Sequence, residues 1–144
     1  MNIQNEMHLK FLSKSSNESF ARSAVAAFTL ELDPTIAELA DIKTAVSEAV
    51  TNAIVHGYRR ESGMIYIDVR LTTERDVIIK IRDKGVGIED VTQAMQPLYT
   101  TAKEEERAGL GFAVMQSFMD SVKVQSKPDK GTTVTLVKRI VALR

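Results

Sequence analysis

Apolar residues recur along this chain with two periods, one fitting strands and one fitting helices. Met7, Leu9 and Phe11 alternate with His8 and Lys10, which predicts a short half-buried strand before the Ser/Asn-rich residues 13–17. Phe20, Ala24, Ala27, Phe28 and Leu32 then fall at helical spacing, and Ser15 with Glu18 reads as a capping box opening that helix. Asp33-Pro34 closes it and starts the next, with Asp as cap, Pro at the first helical position and Gly57 as a left-handed stop. The second helix is thus expected over 34–56. Residues 64–71 alternate through Ile65, Ile67, Val69 and Leu71, residues 72–76 turn, and 77–82 are rich in β-branched side chains, which predicts an antiparallel hairpin. A short helix is expected near 89–95, and the polar stretch from Pro97 to Ala108 reads as a mobile flap. Leu110, Ala113, Val114, Ser117 and Phe118 mark a helix over 110–120, and Pro128-Asp129-Lys130-Gly131 turns between strands at 122–126 and 132–138. This order predicts an α+β two-layer sandwich: one mixed, mostly antiparallel sheet with helices on one face.

Size and charge narrow the classes. The 144 residues suit a single domain spanning 1–144. Lysine plus arginine number 19, as do aspartate plus glutamate, so the formal charge is zero and no direct nucleic-acid binding is expected. The absence of cysteine excludes disulfides and thiolate zinc sites. There is no apolar run of about 20 residues, and the N-terminus lacks a signal-peptide pattern. A cytoplasmic soluble protein with no membrane partner is the expectation.

Within the second helix, Glu48, Asn52 and His56 lie at four-residue intervals among mostly apolar or small residues. Such spacing keeps them on one face, drifting about 40° per step. Burying polar groups without partners costs roughly 1–3 kcal/mol each, so they should meet solvent, one another or a ligand. A carboxylate, an amide oxygen and an imidazole together suit metal and phosphate. Asp83-Lys84-Gly85-Val86-Gly87 follows a strand, placing a carboxylate at the strand end with glycines that let backbone approach a ligand. A carboxylate can accept from an exocyclic amine such as that of adenine, although the motif alone reads more readily as a plain turn. Gly109-Leu110-Gly111 is a second glycine pair at an expected helix start, where free amides favour phosphate, or else a hinge. Gly131-Thr132 opens the last strand.

Taken in order, these motifs resemble those of the GHKL nucleotide-binding superfamily. Glu48-x-x-x-Asn52-x-x-x-His56 is similar to its N box, Asp83-x-Gly85-x-Gly87 to its G1 box, Gly109-Leu110-Gly111 to its G2 box, and Gly131-Thr132 to its late Gly-Thr position. The segments 17–22, 48–58, 96–101 and 111–120 resemble more closely the anti-sigma F family of sporulation serine kinases. The flap lacks the Phe-x-x-Phe segment of a typical sensor-kinase lid.

The resemblance implies ATP/ADP and Mg2+ as cofactors and the Bergerat-type ATP-binding fold. It makes Glu48 the base toward a serine hydroxyl and Asn52 a ligand of Mg2+, with a solvated glutamate and a buried structural asparagine as the plain alternatives. Asp83, Gly85, Gly87, Gly109, Leu110, Gly111 and Thr132 would line the nucleotide. Arg107 resembles the family residue at the terminal phosphate, with Lys103 as the other candidate, and both are otherwise flap charges. Thr100 and Thr101 belong to the lid or to an ordinary polar loop. For His56, contact with phosphate or acceptor and a favourable seat at a helix end stand side by side. Arg22 matches a position that contacts protein partners, and reads equally as an exposed helix arginine. Met95, Met115 and Met119 read as core filling.

The implied partners are a sigma factor, sigma F-like, kept from RNA polymerase, and an anti-anti-sigma protein as serine substrate, with a homodimer through the first strand and helix. Three alternatives remain at this level: the sister anti-sigma kinase of the general stress response, a nucleotide-gated binding module without catalysis, and an ATPase that uses water.

Overall fold

The computed structural model describes residues 2–95 and 103–141, with side chains described at all of these except 93 and 103–110. Five strands form one sheet in the order β1-β2-β3-β5-β4, where β1 is Ile3–Leu12, β2 Met64–Thr72, β3 Asp76–Asp83, β4 Ser121–Lys127 and β5 Gly131–Arg139. Every pairing is antiparallel, which corrects the expectation of a mixed sheet. The β4–β5 hairpin inserts β5 beside β3 and sends β4 to the edge, so the strands that run the same way never become neighbours. The first strand is also longer than the alternation at 7–11 suggested.

Two inward-facing rows cross all five strands. Leu9, Ile67, Ile81, Val134 and Val124 stand opposite one another in turn, as do Met7, Val69, Ile79, Leu136 and Val122. The central members are essentially inaccessible, and full burial of each such side chain contributes about 1.5–3 kcal/mol. Helices α1 (Ser16–Thr29), α2 (Ile36–Asn52) and α4 (Lys103–Phe118) cover this face, and the short α3 (Val91–Ala94) packs near β4. Ile42, Val46 and Val50 of α2 and Phe112 and Met115 of α4 close the core. Met119 is buried with them and Met95 packs against them, as core filling requires.

Helical faces were displaced from the sequence reading. On α1 the buried face is Ala21, Val25, Ala26 and Thr29, while Phe20 is 52% exposed. At α4 and just beyond it the buried residues are Phe112, Met115 and Met119, while Ala113 and Val114 are half-buried and Phe118 is exposed. The backbone of α4 also begins at Lys103, so part of the stretch read as a flap is helical. Its run of Lys, Glu, Arg and Ala has high helix propensity.

Capping differs too. Ser15 is already helical in backbone and its side chain makes no cap bond. Glu18 is drawn instead to Arg22 (2.9 Å) and to Ser47 Oγ (2.8 Å) on α2. The reciprocal box sits at Thr35 and Glu38: Glu38 N donates to Thr35 Oγ1 at 3.1 Å and Thr35 N to Glu38 Oε1 at 2.8 Å. Asp33, expected as the cap, is left-handed (φ 54°) and ends a short turn over Leu30–Leu32. Replacing Thr35 by Ala should therefore lower the urea-unfolding free energy by about 1 kcal/mol, while Ser15→Ala should stay within about 0.5 kcal/mol of wild type.

Candidate functional site

The helix that carries the polar row does not end simply. After Asn52 the chain widens into a π-helical turn over Ala53–Gly57, a form frequent at functional sites. Glu48 and Asn52 lie on consecutive turns of α2 and His56 in the π turn, all three half-buried. Gly57 is not the left-handed stop expected of it; the positive-φ residues are Arg59 (51°) and Arg60 (65°). Gly57 is glycine for a different reason. A Cβ there would lie 2.8–2.9 Å from the carboxylate atoms of Asp83, at the end of β3.

Asp83 is 6% exposed. Its Oδ1 accepts from Gly85 N at 2.9 Å. Burial pushes its carboxyl above the usual carboxylate range, and the N–H groups of Gly85 and Thr132 pull it partly back. The loop that follows is fastened on both sides. Val86 N donates to Gly57 O at 2.8 Å, and Asp129 N, in the β4–β5 turn, donates to Val86 O at 2.7 Å. A Cβ at Gly85 would come within 1.9 Å of Gly57 O, and one at Gly87, whose φ is +76°, within 2.0 Å of Lys127 O. The G1-type glycines are thus required by backbone packed against backbone.

At the other end of the row, α4 closes over α2. A Cβ at buried Gly111 would meet Glu48 Oε2 at 3.1 Å and the Asn52 amide at 3.3–3.4 Å. Gly109-Leu110-Gly111 lies inside α4, not at its start as expected, because the helix extends back to Lys103. The backbone of Arg107 is on α4, while its side chain and that of Leu110 lie outside the described residues, as do Thr100 and Thr101. Thr132 is 8% exposed and stands opposite Asp83 across β3 and β5. Arg22 projects from α1, bonded to Glu18 and 3.4 Å from Ser47 Oγ, next to Glu48 in the chain.

Two supporting residues were missed by the sequence reading. Tyr58 Oη accepts from Lys84 N at 2.7 Å and donates to Met64 O, bracing the start of the loop. Ser126 reaches the loop's far end at Ile88 N, 2.8 Å away. The only signal for Ser126 was its parity with Val122 and Val124 on an inward-facing strand edge.

The donor set fits a hard divalent cation held jointly with a nucleotide. Among the described residues no three His, Cys, Asp or Glu side chains gather into a metal cage. Mg2+ is commonly bound by one or two protein oxygens, with phosphate and water completing its shell, and Asn52 offers such an oxygen. Asn52 Nδ2 is buried without a hydrogen-bond partner in the protein, which is expensive unless a ligand supplies one.

An antiparallel sheet under three helices, with a polar helix row facing a glycine-lined strand end, defines a nucleotide-binding domain of the histidine-kinase type. The profile of the histidine kinase-like ATPase domain matches residues 13–138. Anti-sigma F factors are similar over nearly the full length: that of Thermoanaerobacter sp. (strain X514) is 59% identical over 140 residues, 97% of each chain. That of Clostridium acetobutylicum is 50% identical over 98% of each. The chain belongs to the anti-sigma F factor family, a branch of the histidine kinase-like ATPases. In fold it is similar to the crystal structure of the RsbU and RsbW domains of Rv1364c from Mycobacterium tuberculosis (TM-score 0.68, 20% identity), covering 95% of this chain and 32% of that one. The histidine kinase domain of the Erythrobacter litoralis EL346 blue-light activated kinase gives a TM-score of 0.56 at 16% identity, over 88% of this chain and 60% of that one.

Burial of Asp83 has a pH consequence. Its native carboxyl titrates above the ordinary 3.8, so between 3.8 and that raised value the folded state keeps a proton that the unfolded chain has released, while above it Asp83 is a carboxylate. The contribution to stability is full below 3.8 and is lost as pH rises through the raised value. Urea unfolding from about pH 4 to about pH 7 should show wild type losing stability relative to Asp83→Asn as pH rises, whereas parallel curves would show that the carboxylate is not desolvated.

Proposed function

We propose that this chain is an ATP-dependent protein serine kinase that also binds a sigma factor, sigma F-like, and keeps it from RNA polymerase. Its substrate is a serine on a small anti-anti-sigma protein, which phosphorylation inactivates. The observation that carries the reading is the placement of Glu48 beside Asn52, both against Gly111 of α4, on the helix whose far end packs against Asp83. Adenine recognition needs Asp83, and cation binding needs Asn52. Neither needs a carboxylate at 48, so Glu48 argues for chemistry.

In this mechanism Asp83 accepts from the adenine amine, and Gly85 and Gly87 let the loop backbone come close. Glu48 orients the acceptor serine and takes its proton as the serine oxygen bonds to the terminal phosphorus, while the bond to the departing ADP oxygen breaks. Phosphoryl transfer is mostly alignment and charge neutralisation, so one positioned carboxylate suffices. Mg2+, held through Asn52, would neutralise phosphate charge. Arg107, with Lys103 as the alternative, serves the terminal phosphate, and Gly109, Leu110, Thr100 and Thr101 belong to the lid over it. Arg22, half-buried on α1 beside the α2 row, contacts the protein partners, and β1 with α1 forms the homodimer surface. No described helix is long and apolar enough to cross a membrane.

Labelled ATP, a candidate acceptor protein and Glu48→Gln test the reading together. Label should enter a serine of the acceptor, and the variant should transfer it about 10²–10⁴-fold more slowly while still binding ATP. Free phosphate released without acceptor would favour a water-using ATPase. ATP-dependent sigma capture with no label transferred would favour a gated module. Separately, Asp83→Asn should weaken ATP binding about tenfold or more by presenting an amide donor to an amine, and undiminished affinity would remove the adenine assignment.

A further inference from the structure

The inward row of the sheet next to the two apolar rows is polar. Asp83 of β3 stands opposite Thr132 of β5, and Thr132 opposite Ser126 of β4. Ser126 engages three groups at once: its Oγ accepts from Ile88 N at 2.8 Å, donates to Gly131 O at 3.0 Å and lies 2.8 Å from Thr132 Oγ1. A serine hydroxyl has one proton, and a carbonyl can only accept. That proton is therefore directed at Gly131, and Thr132 is the donor in the bond between the two hydroxyls. With its own proton committed to Ser126, Thr132 can only accept from a ligand. The neighbouring Asp83 carboxylate is likewise an acceptor.

We propose that Ser126 is a positioning residue that fixes the polarity of the Thr132 hydroxyl, and through it makes this end of the pocket select adenine over guanine. The inference rests on the nucleotide-binding reading above. Two acceptors side by side suit an exocyclic amine, which carries two N–H groups and can satisfy both oxygens directly or through water. Guanine places a carbonyl oxygen at the same edge, where it would face oxygen lone pairs and leave buried acceptors unpaired. Sites built to hydrogen-bond one pattern reject the other strongly for that reason. Without Ser126, Thr132 would be free to turn its proton into the pocket and meet the guanine oxygen.

Calorimetric titration with ATP and with GTP, on wild type, Ser126→Ala and Ser126→Thr, tests this. Wild type should prefer ATP. Ser126→Ala should lose about fivefold to tenfold in ATP affinity and narrow the ATP:GTP ratio by about tenfold or more. Ser126→Thr, which keeps the hydroxyl, should restore both. If Ser126→Ala fails to fold, as judged by its melting curve, Ser126→Cys carries the same expectation because a thiol is a weak acceptor of nearly the same size. An unchanged ATP:GTP ratio overturns the inference, including the case in which both affinities fall equally and Ser126 merely holds the loop. Wild type that binds neither nucleotide overturns the nucleotide reading itself, and is distinguished by involving no variant.

Discussion

A carboxylate taken out of water has to be given donors and room, and at Asp83 glycines supply much of both. Gly85 provides one N–H, and Gly57 leaves the space in which the carboxylate sits. Gly131 completes the arrangement, since a Cβ there would come within 2.1 Å of the Asp83 carbonyl oxygen. Three chain segments that are distant in sequence, the end of the α2 helical run, the loop after β3 and the β4–β5 turn, therefore meet at distances only backbone can reach. The position of one acidic group fixes the mutual placement of all three. At Gly85 and Gly131 the close contact is backbone against backbone, with no flexible side chain to yield, while at Gly57 it is with the Asp83 carboxylate itself.

This junction also sets the length of the site. The helical run that carries Glu48 and Asn52 ends at Gly57 against Asp83 of β3, so the polar row is tied to the strand-end acceptor through one rigid element. That element is secured at its start by the Thr35–Glu38 box and along its length by Ile42, Val46 and Val50 in the core. Sites built on helices and strands hold geometry more tightly than sites on loops. Against this framework α4 forms the facing wall. It touches the row through Gly111, where the absence of a side chain leaves room beside Glu48 and Asn52.

Strand content and the two hairpin pairings were legible because alternation is a strong signal when one face is buried: Ile65 to Leu71 and Val77 to Ile81 state their inward parity directly, whereas the β1–β2 and β3–β5 pairings join segments far apart in the chain. The helical faces of α1 and α4 were less so. Alanines at 21, 24, 26 and 27 pack almost anywhere on a helix, so they did not settle which stripe turns inward, and Phe20 was taken for core although it faces outward. The cap was misplaced because Ser15-x-x-Glu18 and Thr35-x-x-Glu38 are equivalent as strings. Only tertiary structure shows that Glu18 is drawn to Arg22 and Ser47 instead. Among the candidate-site residues, the row at 48, 52 and 56 and the glycines at 85 and 87 are marked by spacing. Gly57, Tyr58 and Ser126 are not, since their roles are contacts to segments far along the chain.

The change from apolar to polar along the inward face of the sheet explains how one small domain holds both a core and a site. Moving two residues from the row of Ile81, Val134 and Val124 brings Asp83, Thr132 and Ser126 to the same face at the same pitch. On β3, β5 and β4 the inward face continues with hydrogen-bonding residues in place of aliphatic ones, while β1 and β2 continue it with Phe11 and Ile65. The apolar rows favour folding by burial, while the polar row works against it, most clearly through the desolvated carboxyl of Asp83. That opposition is expected of groups retained for a ligand rather than for stability. It also follows that the pocket's chemistry is set by β-register: a slip of one residue on β5 would turn Thr132 away and bring Thr133 inward, removing Asp83's neighbour together with Ser126's hydroxyl contact.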